Sequence, residues 1–391
     1  MNSKIQAISS FLTERKERLK PEEANELNLK RIEKIDFSGQ IHLVENKPTK
    51  TGMIVIKKGD LVISGINVAK GALAVYEGDE DVIATIHYSS YSFDKEKIDI
   101  NFLKWFLKSP AFIDALKKQT GGGIKTEIKA KKFLSLKVPI PILDEQKKIE
   151  SNLNKFEEKY NQISKELQRQ FVLIKKLRES ILKDFLEMQK SNWNKTILIE
   201  VIESKPRNGL SIKAVDYKTN VKSLTLSATS SGKFKPEHSK YLDIDIEKDS
   251  HLWLENGDIL IQRANSSEYV GIAAIYDGEN QEFIYPDLMM KIKAKKDIVN
   301  IKFLQLLLIS PSSREYFVNN SVGTSSSMKK INQETVSNLP IFYPSLEEQK
   351  RIVEKVEKLM ATCDALELEV QNSKIETEKL MQSVLKEAFT K

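Results

Sequence analysis

"LDEQKKI" at positions 143–149 and "LEEQKRI" at positions 346–352 are nearly the same seven residues, met twice in one chain. Each follows a proline-bearing stretch, "KVPIPI" (137–142) and "LPIFYPS" (339–345), and each opens a long charged run. Acidic residues directly after a proline segment, followed by apolar residues at helical spacing, predict a helix start in both places. The likeness continues upstream. "INFLKWFLKSP" (100–110) matches "IKFLQLLLISP" (301–311), each reading as a buried helix stopped at a Ser-Pro turn. "KKGDLVIS" (57–64) matches "ENGDILIQ" (255–262), and "GALAVYEG" (71–78) matches "GIAAIYDG" (271–278), strands punctuated by glycine. The chain therefore reads as two copies of about 200 residues with the same order of elements, each a mixed α/β (α+β) body followed by a long helix.

The long helices carry coiled-coil spacing. In the first, Ile149, Leu153, Phe156, Tyr160, Ile163 and Leu167 alternate steps of four and three, and the step slips at Phe171. In the second, Ile352, Val356, Leu359, Cys363, Leu366 and Val370 keep the same rhythm, which puts Cys363 on the packed seam. A helix of roughly 45 residues is about 65 Å long, too long to bury its seam on one small domain. The expectation is that the two helices pair antiparallel, with the bodies related by a pseudo-twofold axis. A generic dimerisation coil, or a helix packed on its own body, has the same periodicity.

With 391 residues and 40% hydrophobic content the chain can form two or three domains with real cores. The start "MNSKIQAISSFLTERKERLK" lacks the apolar stretch of a signal peptide and no run is long enough to cross a membrane, so a cytoplasmic protein is expected. One cysteine excludes an intrachain disulfide, and four scattered histidines give no zinc spacing. No metal site and no cofactor are expected. "GxxxxGK[ST]" does not occur, nor does an Asn or Asp followed by Pro-Pro and an aromatic, so nucleotide hydrolysis and adenine methyl transfer have no motif here. Asp258 and Glu268 read as caps or turn residues, not as a nuclease. The net charge of +7 suits nucleic acid without requiring it.

The duplicated "P-x-L-[DE]-E-Q-K-[KR]-I" phrase (Pro141 to Ile149, Pro344 to Ile352), the "GD-[LI]-[VL]-I" strands and the two-fold layout resemble the specificity subunit of type I restriction-modification systems. The resemblance covers essentially the whole chain. It implies a target recognition domain at 1–142, a spacer helix at 143–190, a second recognition domain at 191–345 and a second spacer helix at 346–391. It also implies a non-catalytic subunit that reads an asymmetric bipartite site on double-stranded DNA. Methyltransferase subunits, two of them, and a restriction and translocase subunit would dock on it. The alternative is a coiled-coil scaffold that reads no bases. One departure is Trp193 at the opening of the second copy, which the first copy lacks.

Residues 18–50 have no convincing partner in 206–240, so one scaffold carries two different surfaces. Neutral divergence of loops would leave the same contrast. The stretch "KKQTGGGIKTEIKAKK" (117–132) sets six lysines around three glycines. Its counterpart "SVGTSSSMKKINQE" (321–334) is rich in hydroxyls. Phosphate contacts are accordingly expected from Lys125, Lys129, Lys131, Lys132, Lys329 and Lys330, although a lysine-rich turn is also ordinary solvated surface. After the "GD" strands, Asn67, Lys70, Gln262, Arg263 and Asn265 have the chemistry to reach base edges, Arg to guanine and Asn or Gln to adenine. Asparagines there serve equally as turn residues.

Overall fold

A computed structural model describes residues 4–45, 48–68, 71–120, 128–187, 192–323 and 328–390. It divides into one unit of residues 1–168 with 371–391 and a second of residues 169–370.

In the first unit a four-stranded sheet runs in the order Leu12–Glu14, Tyr88–Phe93, Leu61–Ser64, Leu73–Val75. The second unit repeats it as Arg207–Asn208, Met289–Ile292, Ile259–Gln262, Ala273–Ile275. The registers agree, with Val62 opposite Ala74 and Leu260 opposite Ala274. Two of these strands, Leu61–Ser64 and Ile259–Gln262, are buried at every position, in keeping with three successive apolar residues in each, Leu61 to Ile63 and Ile259 to Ile261. Each is entered through a Gly-Asp turn whose glycine, Gly59 (φ +85°) or Gly257 (φ +95°), takes the left-handed conformation that a side chain disfavours. The second sheets differ. The first unit has five strands ordered Arg18–Leu19, Met53–Ile56, Val82–Thr85, Arg31–Ile35, Ile41–Val44. The second has three, ordered Ser239–Leu242, Val221–Leu224, Phe283–Ile284. The segments without a sequence counterpart thus fold differently as well.

The turn aspartates are buried, and the two copies neutralise them differently. Arg15 grips Asp60 through Nε (2.5 Å) and Nη2 (2.7 Å), with the Ser90 hydroxyl and the Lys57 N–H also donating to it. Burial works to raise the Asp60 pKa, but these donors outweigh it and hold the carboxyl below its ordinary range. Asp258 has Lys291 at 3.2 Å and the Glu255 N–H, while its Oδ1 accepts no hydrogen bond. There burial wins and the pKa rises.

Both repeated phrases open a helix, Leu143–Leu186 and Leu346–Thr390. Their glutamines are fully buried. Gln146 Oε1 accepts from the Asp99 N–H (2.7 Å), and its Nε2 donates to Lys97 O (3.1 Å) and Pro141 O (2.8 Å). Gln349 repeats the pattern with the Asn300 N–H (2.7 Å), Ile298 O (3.1 Å) and Pro344 O (2.9 Å). Asp99 and Asn300 in turn cap the helices Ile100–Lys108 and Ile301–Ile309 by accepting from two N–H groups of the first turn. A single amide therefore joins the start of each long helix to the capped start of a helix in its body.

In the first unit, Ile149 and Leu153 belong to one core with Met381, Val384, Leu385 and Phe389, so the beginning of one long helix meets the end of the other. In the second unit, Arg178 donates to Asp364 (2.7 Å) and Glu367 (2.9 Å), and Lys233 reaches Asp364 (2.5 Å). Phe102 has the Phe389 ring at 5.6 Å, where its equivalent Phe303 has Trp193 at 5.9 Å. An aromatic partner is thus present in both units, and the first takes its own from the far end of the second long helix.

Two seam expectations are corrected. Buried positions in the first long helix include Leu153, Leu167, Ile174 and Ile181, all at multiples of seven, so this row continues past Phe171 without a slip. Val356, Cys363 and Val370 form the matching row in the second. The other half of the heptad is partly open: Ile163 is 47% exposed, Leu359 39% and Leu366 40%, with Phe156 half-buried; Tyr160, which lies in the same row as Leu153 and Leu167, is half-buried too. Heptad spacing marks two rows, and here one of them takes most of the burial.

Arg15→Met, which strands the Asp60 carboxylate, should cost about 3 kcal/mol of urea stability at pH 7. Because Asp60 is depressed by its donors, their contribution is complete above the ordinary carboxylate value near 4 and is lost as the pH falls through the folded value. The penalty of Arg15→Met should therefore shrink toward pH 3, and a penalty constant with pH would contradict this pairing.

Candidate nucleic-acid interface

In the first unit the N–H of Ile128 donates to Gly65 O (2.9 Å), tying the end of the lysine-rich stretch to the turn after the central strand. The short helix Ala130–Leu134 follows, anchored by buried Phe133, so Lys129, Lys131 and Lys132 stand exposed. Lys129 and Lys131 line a cleft of about 490 Å³ with Arg15, Arg18, His87 and Ser89. Glu14 and the apolar Ile54 and Ile86 also line it. Arg15 faces this cleft while held by Asp60, which fixes its guanidinium in place. Asn67 is half-buried in the adjoining turn, its N–H donating to Ser64 O and its carbonyl accepting from Ala72. Lys70 and Lys125 lie outside the described residues.

In the second unit Ala264–Asn265 pairs with Lys329–Lys330, Asn265 opposite Lys329 and Ala264 opposite Lys330. Lys330 also exchanges two backbone hydrogen bonds with Val322, and the Ile331 N–H donates to Arg263 O. The structure therefore brings Arg263, Asn265, Lys329 and Lys330 together from segments about sixty residues apart. Arg263 is half-buried; its Nη1 donates to Asp287 O (3.2 Å) and its Nε has no partner. Arg314, half-buried and with its pKa pushed down to about 10 by desolvation, donates to the carbonyls of Val270 and Glu268 and so pins the loop after Asn265.

Gln262 is a correction. Its Nε2 donates to Leu226 O (2.8 Å) and to the hydroxyls of Thr229 and Ser230 (3.0 Å each), and its Oε1 accepts from Asn265 Nδ2 (2.7 Å). Fully buried and bonded at every polar position, it braces the fold and has nothing left for a base edge. Asn265 is partly committed too, since its Oδ1 accepts from the Ser266 N–H.

Arg15, Arg18 and Arg314 were not among the sequence candidates. The basic run "ERKERLK" (14–20) marks the first two, whereas nothing in "SPSSREYF" (310–317) marks Arg314. Among the described residues no group of three or more His, Cys, Asp or Glu side chains could hold a metal ion, and no helix is long and apolar enough to cross a membrane. Asp258 lies under Lys291, and Glu268 is 3.8 Å from Lys175, so the two carboxylates are engaged separately.

The family model for the type I restriction modification DNA specificity domain matches residues 12–170 and again residues 190–377. The chain belongs to that family. The specificity subunit of the type I restriction enzyme EcoKI of Escherichia coli (strain K12) is 27% identical over 302 residues, which cover 74% of this chain and 64% of that subunit. The StySPI specificity subunit of Salmonella potsdam is 25% identical, covering 75% and 65%. The chain thus spans less than two thirds of the length of these relatives. Two solved structures share the fold over 99% of this chain. One, from a study of assembly and conformational transition of the type I R-M system, has a TM-score of 0.73 at 15% identity and is covered to 97%. The HsdS subunit of Thermoanaerobacter tengcongensis has a TM-score of 0.52 at 16% identity and is covered to 96%. The twofold family match falls on the two copies read from the sequence, and the mixed α/β class is that of these structures.

Gln262→Leu leaves several buried groups without their partner and should cost about 2 kcal/mol in urea unfolding followed by the fluorescence of Trp193 and Trp253. Lys329→Ala and Lys330→Ala should stay within about 0.5 kcal/mol of the parent. Equal costs at all three positions would contradict the division between bracing and surface residues.

Proposed function

We propose that this chain is the DNA-reading, non-catalytic subunit of a type I restriction-modification complex. Each body reads one half of an asymmetric bipartite target on double-stranded DNA, and methyltransferase subunits, two of them, dock on the chain with restriction subunits joining for cleavage. The compartment is the cytoplasm, where such a complex meets its DNA. The observation that carries this reading is the duplication of one frame with two different additions. The four-stranded sheet, the Gly-Asp turn and the buried glutamine recur in both units. The second sheet and the basic surface beside the frame do not. Two copies reading the same bases would have no need of different surfaces, because base edges are matched by side chains at fixed places.

Phosphate clamping falls to Arg18, Lys129, Lys131 and Lys132 in the first body and to Lys329 and Lys330 in the second. Arg263 and Asn265, together with Asn67, remain the candidates for base edges. Replacing Arg18, Lys129, Lys131 and Lys132 with alanine should weaken binding to every sequence and reduce the logarithmic salt slope by roughly 0.9 for each phosphate contact removed. The recognised half-sites should not change. A changed recognition sequence with an unaltered slope would show that these side chains read bases.

Modularity tests the reading as a whole. Exchanging residues 192–338 for the matching segment of a related subunit should change one half of the methylated motif and leave the other intact. Loss of both halves in a folded, assembled chimera would contradict one body per half-site.

A further inference from the structure

The buried glutamines of the repeated phrase do more than start a helix. Both reach three backbone groups from three places: the proline before the long helix, a loop residue of the body, and the residue that caps a helix of the body. Other polar links at this junction differ between units. Trp105 Nε1 donates to Asn154 (2.9 Å) in the first, and Lys302 donates to Glu357 (2.7 Å) in the second. What is kept at matching lengths, while its polar neighbours diverge, serves a need the two bodies share whatever each one reads.

That need is orientation. Apolar packing holds two surfaces at a distance but resists sliding weakly, whereas hydrogen bonds lose strength steeply with angle. Turning a body on its helix would break three bonds to a buried amide together. Along DNA, each base pair of separation rotates the facing groove by about 35°, since a turn takes 10–10.5 base pairs. A body free to turn by that much could face its half-site at a neighbouring spacing.

We propose that Gln146 and Gln349 are positioning residues that fix the angle of each body on its long helix and so restrict the complex to one gap length between half-sites. This rests on the reading above that each body takes one half-site. The test uses the full chain, co-expressed with its methyltransferase subunit, on a DNA library whose half-sites are separated by every gap from two base pairs shorter to two longer. Methylation at each gap is read by sequencing. Gln146→Glu keeps the side-chain volume while removing donors to two carbonyls; Gln146→Ala removes the amide; exposed Lys147→Ala is the control. In both glutamine variants, methylation at gaps off by one should rise about tenfold relative to the matched gap, with half-sites unchanged, and Lys147→Ala should keep the parental preference. Uniform loss at all gaps, or failure of both glutamine variants to assemble, overturns the inference and leaves the functional reading standing. A parent complex that methylates no bipartite motif overturns the functional reading itself.

Discussion

A glutamine side chain without solvent must place its acceptor and its two donors inside the protein, and at Gln146 and Gln349 they go to equivalent backbone groups. Losing such an amide leaves an N–H and two carbonyls buried without partners, at about 1–3 kcal/mol each. A loop of the body, the capped start of one of its helices and the long helix are therefore coupled at one point. Everything after the repeated phrase takes its direction from that point, including the aromatic cluster in which Phe389 meets Phe102 and Phe106. The phrase occurs twice because there are two such junctions to make.

The frame was legible in the sequence because its signals are local. Prolines, charged first turns, Ser-Pro stops and Gly-Asp turns lie within a few residues of the structure they specify. The second sheets were not legible, because Arg31–Ile35 pairs with a distant strand, Val82–Thr85, and nothing in either segment names the other. The Arg15–Asp60 pair is hidden for the same reason. Gln262 misled through burial: on a strand enclosed on both faces, alternation no longer separates inward from outward positions, and a polar residue there looks accessible. Ile163, Leu359 and Leu366 misled in another way, since heptad spacing records that a position is apolar and not whether a partner covers it.

The two Gly-Asp turns show how duplicated parts diverge without losing the frame. Asp60 faces Ser90 on the neighbouring strand and receives its cation from Arg15, while at the strand position matching Ser90 the second unit has Lys291 itself. One copy consequently stabilises the ionised carboxylate and the other does not. In the first copy the same arginine also lines the basic cleft, so the neutralisation of a turn and the shape of a candidate DNA surface depend on one residue. The surfaces differ, then, partly because the frame was solved by different side chains.

The central claim is that one frame carries two unlike reading surfaces. Methylome sequencing of cells that express this chain with the methyltransferase subunit proposed as its partner tests it most directly. The account predicts a single methylated motif made of two different half-sequences separated by a fixed number of unread bases. A continuous motif, or two identical half-sequences in inverted orientation, would contradict it.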